Sequence, residues 1–150
     1  MKIKIIEMQP EDLAQVVELE RQIFSQPWSE QGFASSLKSP DTLYLSVWMD
    51  DRLAGYCGFL QSFDEADITN VAVGGEFRGQ GIGYQMLSEL MERGRKRGIE
   101  RYTLEVRTGN EAALQLYRKL GFECVGIRKG FYEKPKEDAA IMWTVRDSDQ

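Results

Sequence analysis

The sequence predicts an α/β fold of the α+β type, in which a mixed and mostly antiparallel sheet is flanked by helices. Short segments alternate apolar and polar residues with the period of a β-strand, whereas others space apolar residues three and four apart, as one face of a helix does. Along the 150 residues the order is strand, two helices, three strands, helix, strand, helix and two strands. A meander followed by strand-helix-strand crossovers gives a mixed sheet, not a doubly wound parallel one.

The first strand and two helices are marked by alternation and by capping residues. Ile3 and Ile5 alternate with lysines, and Pro10-Glu11-Asp12 opens a helix that extends to about Phe24. Ser29 is a plausible N-cap for a short second helix, which ends at Pro40-Asp41.

Three strands follow as a meander. The apolar alternation predicts strands from Leu43 to Met49, from Leu53 to Leu60 and from Ala66 to Val73. Asp50-Asp51 and Asp64-Glu65 are expected to form the turns between them, because such residues favour tight turns.

The second half of the chain begins with a helix that starts near Ile82 and closes at Gly98. A strand is predicted from Arg101 to Arg107, and then a helix capped by Asn110 and ended by Gly121. Two final strands, Phe122 to Ile127 and Ala140 to Val145, are expected to be joined by a polar connection, Arg128 to Asp138. We expect a single domain over residues 1–150, with a loose tail at 147–150.

Composition narrows the class of function. The formal charge of −5 argues against a protein that binds nucleic acid over a broad surface. No apolar run approaches the ~20 residues of a membrane span, and the alternating start is unlike a signal peptide, so we expect a cytoplasmic protein without membrane contact. The sequence has no histidine and only Cys57 and Cys124, which excludes histidine-based nucleophilic catalysis and gives no reason to expect a metal site.

The most informative motif is the glycine-rich segment Arg78-Gly79-Gln80-Gly81-Ile82-Gly83, which lies between a strand and a helix. Backbone N–H groups at a helix start attract phosphate, although a plain tight turn would also use glycines. A Walker loop would need Gly-Lys-Ser/Thr, and a dinucleotide fold would place the loop after the first strand of a parallel sheet. The motif therefore favours a phosphate-bearing ligand of another kind.

Three later residues could carry chemistry. Glu105 faces away from the apolar side of its strand, so it is either a general base in a cleft or one member of an ion pair, with Arg107 or another residue. Asn110 is an N-cap whose amide could also reach a ligand. From its spacing alone Tyr117 is a core residue, but a buried hydroxyl needs a partner.

Together these residues resemble the GNAT superfamily of acetyl-CoA-dependent N-acetyltransferases, whose pyrophosphate loop is Arg/Gln-x-x-Gly-x-Gly/Ala. Arg78, Gly81 and Gly83 match that loop. The resemblance covers nearly the whole chain and is strongest to the RimI branch, bacterial enzymes that acetylate the N-terminal alanine of small-subunit ribosomal protein number eighteen. The segments that carry this match are Pro27-Trp28-Ser29, Asn70-Val71-Ala72-Val73, Leu104-Glu105-Val106-Arg107, Asn110-Glu111-Ala112-Ala113, Leu116-Tyr117, Leu120-Gly121-Phe122 and Asp138-Ala139.

The resemblance implies an acyl-CoA N-acyltransferase fold and a role for each matching residue. Glu105 would accept the proton of the amine, and Tyr117 would donate a proton to the departing thiolate. The residues implied to bind acetyl-CoA are Val71, Ala72, Val73, Arg78, Gly79, Gln80, Gly81, Ile82, Gly83, Tyr84 and Asn110. The family pattern has an acidic residue and proline where this chain has Gly74-Gly75.

The expected partner is a protein N-terminus, and the resemblance points to a ribosomal protein. Trp28, Glu65 and Tyr132 would border its groove, although Trp28 and Tyr132 could equally be surface packing. We expect a monomer or weak dimer. Alternative functions are a GNAT enzyme for a small amine or a lysine side chain, and a CoA-binding module without turnover.

Overall fold

The computed structural model describes residues 2–145, within which seven strands form one sheet and four α-helices cover it. The strands are β1 (Ile3–Glu7), β2 (Thr42–Met49), β3 (Arg52–Ser62), β4 (Glu65–Val73), β5 (Arg101–Arg107), β6 (Phe122–Glu133) and β7 (Lys136–Thr144). The α-helices are α1 (Leu13–Ile23), α2 (Glu30–Leu37), α3 (Ile82–Lys96) and α4 (Glu111–Lys119). A 3-10 turn at Pro10–Asp12 leads into α1. The expected tail at 147–150 lies outside the described residues.

The strand order across the sheet is β1-β2-β3-β4-β5-β7-β6. Every neighbouring pair is antiparallel except β4 and β5, which run parallel because α3 carries the chain back across the sheet between them. The predicted fold class, a mixed and mostly antiparallel sheet with flanking helices, is confirmed.

Helices cover both faces of the sheet, so there are two hydrophobic cores. Side chains of α3 and α4 pack on one face with residues such as Leu45, Phe59 and Leu104. Side chains of α1 and α2 pack on the other face, around Phe33 and Tyr56. This explains why the middle of β2 is buried on both sides even though its sequence alternates, because the polar positions face the second core.

The predicted capping residues are confirmed. Ser29 Oγ accepts a hydrogen bond from the Gly32 N–H at 3.0 Å and so satisfies a donor at the start of α2. Asn110 Oδ1 accepts from the Ala113 N–H at 3.2 Å at the start of α4. Gly98 and Gly121 follow α3 and α4 with φ of +87° and +96°, a conformation that glycine adopts without the steric cost of a Cβ.

The polar connection predicted from Arg128 to Asp138 is wrong. Most of it continues β6 and β7 as a long hairpin, with Tyr132 opposite Glu137 and Glu133 opposite Lys136. The backbone ladder stabilises this ribbon, and much of it is solvent-exposed, so its sequence lacks the apolar alternation of a half-buried strand.

Candidate active site

The site lies where the sheet splits between β4 and β5. These strands pair only through Glu65–Arg101, Ala66–Tyr102 and Asp67–Thr103. The register of β4 against β3 shifts by one residue beside Thr69, and such a bulge bends a strand and increases its twist. Beyond Asp67 the two strands separate, and a cavity of about 750 Å³ opens between them.

The far half of β4 has a backbone edge without a neighbouring strand. Val71, Ala72 and Val73 pair with Cys57, Tyr56 and Gly55 of β3, whereas their other edge faces the gap left by β5. Backbone N–H and C=O groups on that edge are therefore placed to bind an extended ligand. This is the stretch that the resemblance implies for the pantetheine arm.

The glycine-rich segment forms the turn between β4 and α3. Gly79 and Gly81 have φ of +77° and +79°, a region in which a side chain would be strained, so glycine is needed at both positions. Gly81 is the N-cap of α3 and offers no side chain to the first turn. The first N–H of α3 that donates to a backbone carbonyl of its own turn is that of Gln85, which binds the carbonyl of Gly81. The N–H groups of Ile82, Gly83 and Tyr84 are therefore available to an anion.

Two residues of this segment have a different structural role from the one that the motif suggests. A Cβ at Gly83 would lie 3.0 Å from Leu116 Cδ2, so this glycine allows α4 to pack closely against α3. Arg78 donates from Nε to the carbonyl of Val73 at 3.3 Å, which ties the turn to the end of β4.

Glu105 lies on the face of β5 that lines the cavity. Its partner is Arg128 of β6, whose Nη1 lies 2.9 Å from Glu105 Oε2. Arg107 binds elsewhere: its guanidinium pairs with Glu137 at 3.2 Å and donates to the carbonyls of Lys134 and Pro135. Both readings of Glu105, a cleft carboxylate and an ion-pair member, are therefore compatible with its position.

Tyr117 also reaches the cavity, although its ring packs against Phe122 and only 7% of the residue is exposed. Its hydroxyl has no hydrogen-bond partner within residues 2–145. Since no fully buried side-chain oxygen or nitrogen in that range lacks a partner, the hydroxyl is accessible from the cavity. Burial raises the pKa of Tyr117 above its ordinary value, with smaller contributions from Tyr132 and Cys57, so the group is a proton donor rather than a phenolate.

Of the remaining predicted site residues, three line the cavity and one, Glu65, does not. Asn110, Trp28 and Tyr132 all line the cavity. Trp28 also packs on Phe33, with ring centroids 5.1 Å apart, and the Arg107 guanidinium lies 4.3 Å from the centre of the Tyr132 ring.

Glu65 does not join this group. It opens β4 at the opposite end of the strand from the gap and is ion-paired with Arg101, Nη2 to Oε2 2.5 Å. It is not among the residues that line the cavity.

The sequence did not indicate that Glu20, Asp67 and Lys134 line the cavity, nor that Arg128 is the partner of Glu105. Glu20 is buried and accepts hydrogen bonds from the Tyr56 hydroxyl and from the Trp28 N–H, so it anchors the segment that carries Trp28. In the sequence, Asp67 resembles a solvent-facing strand residue, because it lies between the apolar residues Ala66 and Ile68.

The fold thus places a helix N-terminus, a carboxylate and a buried tyrosine around one gap in a mixed sheet. The chain belongs to the Acetyltransferase (GNAT) family, whose model matches residues 13–122. It is an acetyltransferase by family and by fold.

Similar proteins share nearly the whole length of the chain. A [ribosomal protein bS18]-alanine N-acetyltransferase of Escherichia coli (strain K12) is 34% identical over 92% of this chain and 94% of its own. A Bacillus subtilis (strain 168) protein, provisionally named as the same enzyme, is 39% identical over 95% of both chains. The crystal structure of the Escherichia coli ribosomal-protein-S18-alanine N-acetyltransferase superposes with a TM-score of 0.87, at 32% identity, and covers 95% of this chain and 93% of that chain.

Within residues 2–145, none of the helices has the length and apolar character needed to cross a bilayer.

Proposed function

We propose that the protein is an acetyl-CoA-dependent Nα-acetyltransferase that acts on a protein N-terminus, namely the N-terminal alanine of ribosomal protein bS18. The observation that carries this proposal is the cavity between β4 and β5, into which Glu105 and the hydroxyl-bearing side of Tyr117 both open. A donor bound along β4 and an acceptor entering from the β6–β7 hairpin would meet between these two side chains.

The residues at the end of β4 fit a CoA-type donor. The uncapped N–H groups of Ile82, Gly83 and Tyr84 would hold the pyrophosphate, with the shape of the turn supplied by Gly79 and Gly81. Arg78 and Gln80 belong to the same turn. The free edge of Val71 to Val73 would hold the pantetheine arm, and Asn110 would contact it from the start of α4.

Acetyl-CoA supplies the acetyl group as a thioester. As the acceptor nitrogen forms its bond to the carbonyl carbon, Glu105 takes the proton that the nitrogen loses, directly or through water. Tyr117 gives its proton to the sulfur as the carbon–sulfur bond breaks, and backbone N–H groups at the end of β4 stabilise the charge on the carbonyl oxygen. No side chain needs to form a covalent intermediate, so the lack of histidine is no obstacle.

A free α-amine suits this machinery better than a lysine does. An α-amine has a pKa of about 7.7–8.0 and is roughly a tenth neutral at pH 7, whereas a lysine amine, near 10.4, is neutral in fewer than about one molecule in a thousand. The relatives are named as alanine N-acetyltransferases of ribosomal protein bS18 or S18, which supports the same acceptor here. Trp28 and Tyr132 line the cavity and would contact the first residues of the peptide.

The test is thiol release from acetyl-CoA with a panel of acceptors: a peptide that begins with the Ala-starting sequence of bS18, its N-blocked form, a lysine-containing N-blocked peptide and polyamines. We expect release only with the free α-amine. Release with polyamines or lysine would favour the alternative acetyltransferase function. Tight acetyl-CoA binding without release for any amine would indicate a CoA-binding module.

A further inference from the structure

Asp67 is a carboxylate on the cavity wall that none of the other described residues, 2–145, neutralises by a hydrogen bond or ion pair. The other two carboxylates of this wall have partners: Glu105 binds Arg128, and Glu20 accepts from Tyr56 and from the Trp28 N–H. Asp67 therefore has its full bonding capacity left for a ligand that enters the cavity.

The register of the sheet places Asp67 close to the reacting groups. It pairs with Thr103 in the last β4–β5 pair before the strands separate, so it stands at the closed end of the gap. Paired residues point to the same face, and Glu105 follows Thr103 by one full strand period. Asp67 and Glu105 consequently project into the cavity from its two opposite strands.

The electrostatic effect of Glu105 on Asp67 also indicates that the two carboxylates lie close together. Desolvation by the cavity wall and, secondarily, the Glu105 carboxylate raise the pKa of Asp67. The other charged or titratable groups that line the cavity are Glu20, Arg107, Tyr117, Tyr132 and Lys134. Arg107 is held by Glu137 and by two carbonyls of the hairpin turn. A cationic ligand would relieve the repulsion between the two carboxylates.

A second observation points independently to a ligand at this place. Tyr117 is 7% exposed, and its hydroxyl, without a partner inside the described range, opens into the same cavity. Asp67, which is exposed on the cavity wall, and the Tyr117 hydroxyl both lack a partner within the described range, and both residues line the cavity that Glu105 lines.

We propose that Asp67 binds the ammonium group of the acceptor, so that the acceptor enters as a cation between Asp67 and Glu105. Glu105 passes the first proton of the ammonium to solvent water, which leaves a neutral amine, and takes the second proton as the bond between nitrogen and the carbonyl carbon forms. This proposal rests on the proposed function and names the residue that selects a charged amine at that site. Asp67 supplies binding of the acceptor, whereas Glu105 takes up the proton that the acceptor nitrogen loses in the reaction.

The test compares the wild type with Asp67→Asn, using Asp41→Asn as the control because Asp41 is an exposed acid outside the cavity. We expect Asp67→Asn to raise the KM for an Ala-starting peptide about tenfold, in keeping with the loss of a charged hydrogen bond, while kcat and the KM for acetyl-CoA change less than about twofold. Asp41→Asn should match the wild type. An unchanged peptide KM in Asp67→Asn would overturn the proposal, and so would a parallel loss in both KM values and kcat.

A binding measurement separates this proposal from the function on which it rests. By calorimetry the wild type should bind the free-amine peptide more tightly than its N-acetylated form, and Asp67→Asn should lose that preference. If the wild type binds the free-amine peptide but does not acetylate it, the proposed function is contradicted. The difference in peptide preference between the wild type and Asp67→Asn would still test the role of Asp67. Equal preference in wild type and Asp67→Asn would contradict the role of Asp67 alone.

Discussion

The Arg128 guanidinium donates a hydrogen bond to the Glu105 carboxylate, with 2.9 Å between Nη1 and Oε2. The two side chains come from β6 and β5, with β7 between them, and Arg128 reaches across because its neighbour on β7 is the small residue Ala139. The Phe131 ring lies 5.1 Å from the same guanidinium. The exposed hairpin therefore orients the carboxylate that we propose as the general base.

Arg128→Ala should lower kcat by about two- to fivefold, because an exposed ion pair contributes only about 0.2–1 kcal/mol. Glu105→Gln should lower kcat by at least about 100-fold, and most strongly below the amine pKa of about 7.7–8.0, where little neutral amine is available. The measurement is a double-mutant cycle in kcat. If Arg128 acts through Glu105, the double variant loses no more than Glu105→Gln, and Arg128→Lys recovers part of the rate; independent losses that multiply would contradict this role.

Tyr117→Phe should lower kcat by about 100-fold or more at every pH from about 6 to 9, because the hydroxyl is proposed as a general acid. Since burial raises the pKa of Tyr117, the wild type should show no loss of rate through its ionisation in this range. The variant should melt within a few degrees of the wild type, since the ring still packs on Phe122. A fully active Tyr117→Phe would remove Tyr117 from the mechanism.

Gly81→Ala should weaken acetyl-CoA binding, and Gly98→Ala is its matched control. Both glycines have positive φ, +79° and +87°, and neither would bring a Cβ within 3.4 Å of another atom. Each substitution should therefore cost about 1–2 kcal/mol of stability from backbone strain. Only Gly81 shapes the N-terminus of α3, so the KM for acetyl-CoA should rise in Gly81→Ala and stay unchanged in Gly98→Ala. An equal rise in both would show that strain alone is responsible.

The buried tyrosines should make the fold sensitive to alkali. Burial, and then the hydrogen bond to Glu20, raise the pKa of Tyr56. A raised pKa in the folded state leaves stability unchanged below the unfolded value, about 10, and removes stability as the pH rises beyond it. Tyr56→Phe should lose about 1–3 kcal/mol at neutral pH, because Glu20 loses a donor, and should show a smaller further loss above about pH 10. Tyr84→Phe, at an exposed position, is the control in denaturant titrations at both pH values.

The order of elements could be predicted because strand alternation and capping residues are local signals. Ser29 and Asn110 cap the helices that they were expected to cap. The β6–β7 ribbon could not be predicted, because much of Phe122–Glu133 is exposed and leaves no apolar period, and its stability comes from pairing with a strand that follows it.

The sequence indicates which residues line the cavity better than it indicates the partners that those residues bind. Glu105, Asn110 and Tyr117 meet in one cavity, together with Trp28 and Tyr132. The partner of Glu105 lies on β6, 23 residues away, and no local pattern indicates it. Glu65 was placed at the acceptor groove from a resemblance, whereas its ion pair with Arg101 holds it at the other end of β4.

The most direct measurement is the position of the acetyl group on a peptide that begins with alanine and also carries an internal lysine. After incubation with acetyl-CoA and the wild-type protein, fragmentation mass spectrometry locates the added group. We expect a single acetyl group on the α-amine of the alanine, and none on the lysine. Acetylation of the lysine with the α-amine left free, or no acetylated product at all, would contradict the account.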